Sequence, residues 1–400
     1  MNKTNTSIWQ APGYLATIIS VACSFSGWAM LLPVLPFAVL AAGGSATVAG
    51  ATTGIFMVFS VLTQLVTPIL LRRVGYRQVM IWASLLLGVP AFGHIASMDT
   101  VPVLFICALR GIGFGAVCVA ESALIAELLP VTQVGRGAAF LGVAIGLPQA
   151  LLLPSGLTIA HLVGTTLVYV LAAAVAVGAA VCAVFIPAIY PADRTPGDAH
   201  LGRVLAVTAL PAAAICVAAF SFSGLSAFLP ASLSANAVAS AAVWGGALLG
   251  VSGASQMVAR FAAGIVADRS GPGRLTLPGL VSAVVGLTAI VVAVWRGQSA
   301  DADQVNLMLI LVGVGVLVHG LGYGAIQNES LLLMYKRLPH SQIATGSTVW
   351  NAAFDGGNGA GALVLGVVVA GSGYLTGFTL SLALVACVLV ISVAAVIMKR

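Results

Sequence analysis

Four charged residues stand inside long apolar runs, and their types and spacing bound the chemistry open to this chain. Arg110 and Glu121 share the run from Leu109 to Pro130. They are 121 − 110 = 11 residues apart, close to three helical turns, so on a helix both point the same way. Arg260 and Asp355 stand in two other such runs. A charge at mid-membrane costs about 2.5–3.5 kcal/mol on insertion scales, so each calls for a partner or a task. Counted at 1.5 Å per residue, Asp355 lies about 15 Å and Arg260 about 12 Å from corresponding ends of their helices. Similar depth allows an ion pair. That pair either ties two helices together or, with Asp355 taking a proton and releasing Arg260, moves protons. Glu121 is the alternative proton carrier, or else it snorkels to the surface.

The elements that position these charges are membrane spans. The chain has 400 residues, of which 60% are hydrophobic and 6% charged. A soluble chain of this size could not hide that much apolar surface, so lipid is the solvent. With about 20 apolar residues per crossing, the sequence predicts an all-α polytopic membrane protein of twelve helices. They run over 14–40, 47–71, 79–97, 101–127, 137–160, 164–187, 204–230, 240–267, 275–295, 304–334, 342–369 and 373–397. The most polar interior stretch, Tyr190–Arg203, reads as a linker. It divides a six-helix bundle, 1–189, from a second, 204–400. The first apolar run exceeds the core of a cleavable signal and reads as a first span. The six cysteines all lie in apolar runs and read as packing residues, with no metal or disulfide pattern.

Cationic loops set the orientation. With the N-terminus inside, the inner loops and termini hold Lys3, Arg72, Arg73, Arg77, Arg136, Arg194, Arg203, Arg269, Arg274, Lys336, Arg337, Lys399 and Arg400. The outer loops hold only Arg296, a bias of 13 to 1 that places both termini in the cytoplasm. The net charge of +6 is accounted for by topology and implies no nucleic-acid partner.

The chain repeats itself. Gly111, Gly113, Gly115 and Pro130 recur as Gly320, Gly322, Gly324 and Pro339 at an offset of 209. Ser24-Phe25-Ser26-Gly27 with Pro33 recurs as Ser221-Phe222-Ser223-Gly224 with Pro230 at 197, and Gly75 as Gly271 at 196. Parallel repeats of this kind place a substrate path between two halves, near the midplane. Phe25, Trp28, Met30 and Phe114 offer an apolar wall to it, or else face lipid. Tyr323 and Gln327 are i, i+4 neighbours and make the best polar pair for the tenth helix. His319 stands at the repeat position of Arg110, as a hydrogen-bonding or packing residue or as a relay. Glu329 faces a neighbouring helix. The glycines of the fourth, fifth, tenth and eleventh helices permit close helix contact.

These residues resemble the major facilitator superfamily over nearly the whole chain. Gly264-Ile-Val-Ala-Asp268-Arg269-Ser-Gly271-Pro-Gly-Arg274 is similar to the family's GxxxDRxGxR loop, with one extra residue before the last Arg. The first-half copy has Pro68 at the usual Gly and Arg72 at the usual Asp, while Arg73 and Gly75 remain. The resemblance implies that Asp268 closes an inner gate against a helix N-terminus, near Gly135–Gly137, and that Arg72 cannot do the same. It implies a gating role for Arg269, Gly271 and Arg274. The fourth helix is similar to RxxQGxGxG, with Cys107 at the Arg and Arg110 at the Gln. Gly142-Val-Ala-Ile-Gly146-Leu147-Pro148 resembles an antiporter signature, with one residue inserted before the proline. Asn351-Ala-Ala-Phe354-Asp355-Gly356-Gly357 is similar to a drug-exporter pattern.

The set resembles the twelve-helix drug:proton antiporter branch. It implies a monomer in the cell membrane that exchanges protons for a small-molecule substrate, without cofactor or metal. An importing facilitator or symporter on the same fold is the alternative, with Arg110 on an anionic group. An integral-membrane enzyme would need a clustered His or carboxylate motif, and there is no GxxxxGK[ST] for an ATP-driven pump.

Overall fold

The computed structural model describes residues 7–191, 201–236, 238–297, 302–339 and 342–398. Among these every long element is a helix. The order is α1 (Tyr14–Ala41), α2 (Ala46–Gly88), α3 (Gly93–Ala96), α4 (Thr100–Leu128), α5 (Val131–Leu162) and α6 (Thr165–Val184). Then follow α7 (Leu201–Ala235), α8 (Ala241–Ser270), α9 (Thr276–Gly297), α10 (Ala302–Arg337) and α11 (Ile343–Ile397). Ten stretches are long and apolar enough to cross a membrane. Two of them, Ala46–Ala96 and Gly346–Ile397, hold 51 and 52 residues, twice what a crossing needs. Each is broken at a glycine with positive φ, Gly75 at +81° and Gly373 at +82°. Each therefore holds two of the expected spans, consistent with twelve crossings. The fifth helix starts six residues earlier than expected (137 − 131 = 6), directly after Pro130.

The described chain forms two compact units, one of 1–34 with 55–194 and one of 35–54 with 195–400. The second unit thus takes in the α1–α2 turn. There Gly50 lies against the carbonyl of Ala362 on α11, too close for a side chain.

Both units are built on the repeat, and glycine shows how. In the first, α4 lies on two partners. A Cβ at Gly111 would stand 2.1 Å from the Phe56 carbonyl, and one at Gly115 2.2 Å from that of Ser60, both on α2. One at Gly113 would stand 2.5 Å from the Ala83 carbonyl and 2.4 Å from the Leu87 nitrogen. In the second, Gly320 and Gly324 of α10 meet the carbonyls of Ser252 and Gln256 on α8, and Gly322 meets Gly279 and Ala283 on α9. The partners are offset by 252 − 56, 256 − 60, 279 − 83 and 283 − 87, all equal to 196. The glycines themselves are offset by 209. Each duplicated glycine meets the counterpart of the backbone that its twin meets.

Not every signature glycine packs this way. A methyl at Gly142 or Gly146 on α5, or at Gly356 on α11, would have no neighbouring atom within 4 Å among the described residues. The close contacts of those helices are made instead by Gly156 against Met30 and by Gly357 and Gly361 against Cys216 and Phe220.

Candidate functional site

In the first unit, helix geometry gathers four aromatic rings. Phe114 lies one turn beyond Arg110, and α4 turns it toward α1 and α2. It stacks on Trp28 at 5.2 Å and meets Phe25 at 5.5 Å and Phe56 at 5.2 Å. Phe25, Trp28 and Phe114 are all at least 95% buried within the protein, which favours a packed wall over lipid contact. The Trp28 indole N–H is buried and has no acceptor among the described residues.

Arg110 and Glu121 do not pair. Three turns separate them by about 16.5 Å of helix rise, too far for their side chains to close. Arg110 is buried, donates from Nε to the Leu87 carbonyl at 3.0 Å, and lies over the Phe56 ring at 5.6 Å. A hydrogen bond from a charged donor contributes about 1.5–3 kcal/mol, and a desolvated cation–π contact about 2. Together these match the insertion cost of the guanidinium, so Arg110 is held without an acid. His94 and Tyr169 lie within electrostatic reach of it. Nothing in the spacing of the letters singles out His94, yet it is buried with both ring nitrogens unpartnered among the described residues. Glu121 is buried as well, and its Oε2 has no partner among the described residues.

The second unit holds the polar counterpart. Gln256 and Arg260 are one turn apart on α8, Tyr323 and Gln327 one turn apart on α10, and Asp355 and Asn358 three residues apart on α11. Gln256 donates to Gln327 at 2.9 Å. Tyr323 lies within electrostatic reach of both Arg260 and Asp355 and shares a side-chain hydrogen bond with Asn358. Its ring stacks on Phe222 at 4.8 Å. His319 sits one turn away, with Nε2 at 2.8 Å from the Ser221 hydroxyl and Nδ1 buried without a partner among the described residues. Three helices thus bring a cation, an acid, a phenol and three amides together, with Asp355 96% buried. Gln256 was legible in principle, as the only polar residue of α8 at i, i+4 from Arg260.

The gate residues divide. The Asp268 side chain lies outside the described residues. Arg269 and Arg274 are exposed, and Arg274 Nε donates to the Ser270 carbonyl at 3.0 Å. Gly271 ends α8 with φ +80°, its N–H on the Ala267 carbonyl. Pro148 lies inside α5, two residues after Gly146.

Comparison with known proteins is informative at the level of fold. No curated protein matches the chain by sequence. The solved structure of the nucleoside transporter NupG superposes with a TM-score of 0.72 at 12% identity, covering 97% of this chain and 99% of that one. A bacterial homolog of the human lysosomal transporter Spinster, in an inward-facing and unoccupied conformation, gives 0.70 at 15% identity, with 98% and 96% covered. A POT family transporter in complex with 5-aminolevulinic acid gives 0.68 at 12% identity, with 96% and 95% covered. The family model of the Major Facilitator Superfamily matches residues 17–362, and with duplicated bundles and charges buried among their helices this chain belongs to that superfamily of membrane transporters.

Proposed function

We propose that this transporter exports small lipophilic molecules in exchange for protons, by alternating access. The observation that carries the reading is that Arg260 and Asp355, on two different helices, both lie within electrostatic reach of Tyr323 inside the second unit. An ionised Asp355 balances Arg260, and a protonated Asp355 is neutral and leaves Arg260 without a counter-charge. The two protonation states therefore favour different arrangements of α8, α10 and α11, which is what couples a proton to a conformational change. Within the first unit Phe25, Trp28 and Phe114 are rings suited to an apolar group, and within the second Gln327, Tyr323 and His319 are donors and acceptors suited to a polar one. Glu121 is the alternative proton carrier. Arg269, Gly271 and Arg274 in the second unit, and Gly146 and Pro148 in the first, are read as gating residues. The charge bias of the loops supports both termini in the cytoplasm; the rest of the reading is a monomer of the cell membrane with bundles divided at 190–203.

A second reading rests on Arg110. Its terminal amino groups have no acceptor among the described residues, so an anionic solute could be their ligand and the direction import. One assay separates the two. In inverted vesicles with an imposed pH gradient, a panel of lipophilic cations, amino acids, sugars and small anions is added to wild type and Asp355→Asn. Export predicts that a lipophilic compound collapses the gradient in wild type and not in the variant. Uptake of a labelled anion with no effect on the gradient would replace it with the second reading.

A further inference from the structure

Beside Arg110 the first unit buries polar side chains that no carboxylate answers. The protein holds the guanidinium by its Nε, on the Leu87 carbonyl at 3.0 Å, and by its face, over the Phe56 ring at 5.6 Å. Its terminal amino groups have no acceptor among the described residues. His94 on α3 lies within electrostatic reach of it. That ring is 2% exposed, and neither of its nitrogens has a partner among the described residues. It stands 5.4 Å from the ring of Tyr169 on α6, whose hydroxyl donates to the Met98 sulfur at 3.8 Å. Cys107, three residues before Arg110 on α4, has no exposed surface. The acids among the described residues of this unit are engaged or distant. Asp99 is exposed and accepts from the Ser97 hydroxyl at 2.9 Å. Glu121 and Glu127 lie 121 − 110 = 11 and 127 − 110 = 17 residues further along α4.

The repeat shows that packing does not require this polarity. Gly164, with φ +107°, recurs as Gly373, with φ +82°, at the offset of 209, which matches Tyr169 to Phe378. The same offset matches Cys107 to Val316 and Arg110 to His319, and the offset of 196 matches His94 to Ile290. Ile290, Val316 and Phe378 are apolar and at most 1% exposed. His319 has a partner within the protein, the Ser221 hydroxyl at 2.8 Å. At positions that apolar side chains fill in its twin, the first unit therefore keeps a cation and a histidine with unmatched N–H groups. A buried donor without an acceptor and a buried charge without a counter-charge are both costly, and an anion removes both costs at once. One guanidinium balances one negative charge. A halide is a single atom that accepts N–H groups from any direction, so it meets a guanidinium edge and an imidazole N–H together.

We propose that Arg110 and His94 form a binding site for one halide ion, chloride in the cell, held as a resident counter-ion among α3, α4 and α6 of the first unit. The site rests on neither functional reading; with a resident ion on it, Arg110 is closed to the anionic solute of the second. The test is thermal unfolding of the full-length protein in detergent. Sodium gluconate, whose anion is too bulky for the site, is replaced by sodium chloride or bromide at constant ionic strength and pH. In wild type Tm rises and saturates, by about 5 °C or more at a hundredfold excess over Kd. His94→Phe keeps a ring against Tyr169 and moves the midpoint to about tenfold higher halide or more, as for loss of one hydrogen bond to a charged acceptor. Arg110→Leu, if it folds, gives no rise. His161→Phe, at an exposed histidine of α5, keeps the wild-type midpoint. A wild-type Tm that halide leaves unchanged would overturn the proposal. So would a rise that does not saturate, or one with the same midpoint in His94→Phe, since either is a general salt effect. A rise with sodium benzoate and none with halide would overturn it too, and would return Arg110 to the anionic solute. Halide binding is read on resting protein without a pH gradient, so its failure leaves the Asp355 coupling reading intact, and the reverse holds.

Discussion

Gly324→Ala should damage the second unit by an amount that its geometry fixes. The new methyl would stand 2.1 Å from the Gln256 carbonyl, whereas ordinary contact starts at 3.4 Å, so α8 and α10 must part by 3.4 − 2.1 = 1.3 Å. The same two helices carry the Gln256–Gln327 bond of 2.9 Å, and that displacement stretches it past 4 Å, which breaks it. Overpacking costs about 1–3 kcal/mol and a lost amide bond about 0.5–1.5, so roughly 1.5–4.5 kcal/mol in all. For a unit of this size each kcal/mol is about 2–4 °C, so Tm falls by about 3 °C or more. Gly356→Ala on α11 is the control. Its methyl meets nothing within 4 Å, and alanine is the better helix former by about 1 kcal/mol, so Tm should hold or rise. The measurement is thermal unfolding in detergent by tryptophan fluorescence. If Gly324→Ala melts with Gly356→Ala, the backbone contact does not support α10 and the argument fails.

Two further outcomes follow from other parts of the molecule. Asp268→Asn should impair transport more than Arg72→Ala at equal expression, because only a carboxylate can face a helix N-terminus favourably; equal impairment in vesicle assays would remove the asymmetry. Phe114→Ala removes the ring that touches three others and should destabilise the first unit by about 3–5 kcal/mol, read as a lowered Tm; a loss under about 1 kcal/mol would mean that the aromatic wall is not a packed cluster.

Much of the fold was legible because it is written as repetition. The offsets of 196 and 209 seen in the letters are the offsets of the contacts themselves. One turn of spacing is enough to pair Tyr323 with Gln327, and helix rise alone gives Arg260 and Asp355 similar depth. What stayed hidden depends on direction across helices. Helix rise alone separates Arg110 from Glu121, but nothing in the sequence says that Arg110 turns toward Leu87 and Phe56, since a helix face is only known relative to its own axis. For the same reason the letters do not tell that a methyl at Gly142 or Gly146 would meet nothing within 4 Å among the described residues. The sequence sets Glu329 against a neighbour, but its donors are backbone groups, and backbone groups leave no letter to read.

The glycine contacts of α4 and α10 also bear on genetics. At Gly111, Gly115 and Gly324 the opposing atom is a main-chain carbonyl or its neighbour, which every residue type carries. No replacement at Phe56, Ser60 or Gln256 can make room. A suppressor screen on an alanine at any of these positions should therefore return same-site revertants and no allele in the facing residue, while the surrounding sequence drifts freely.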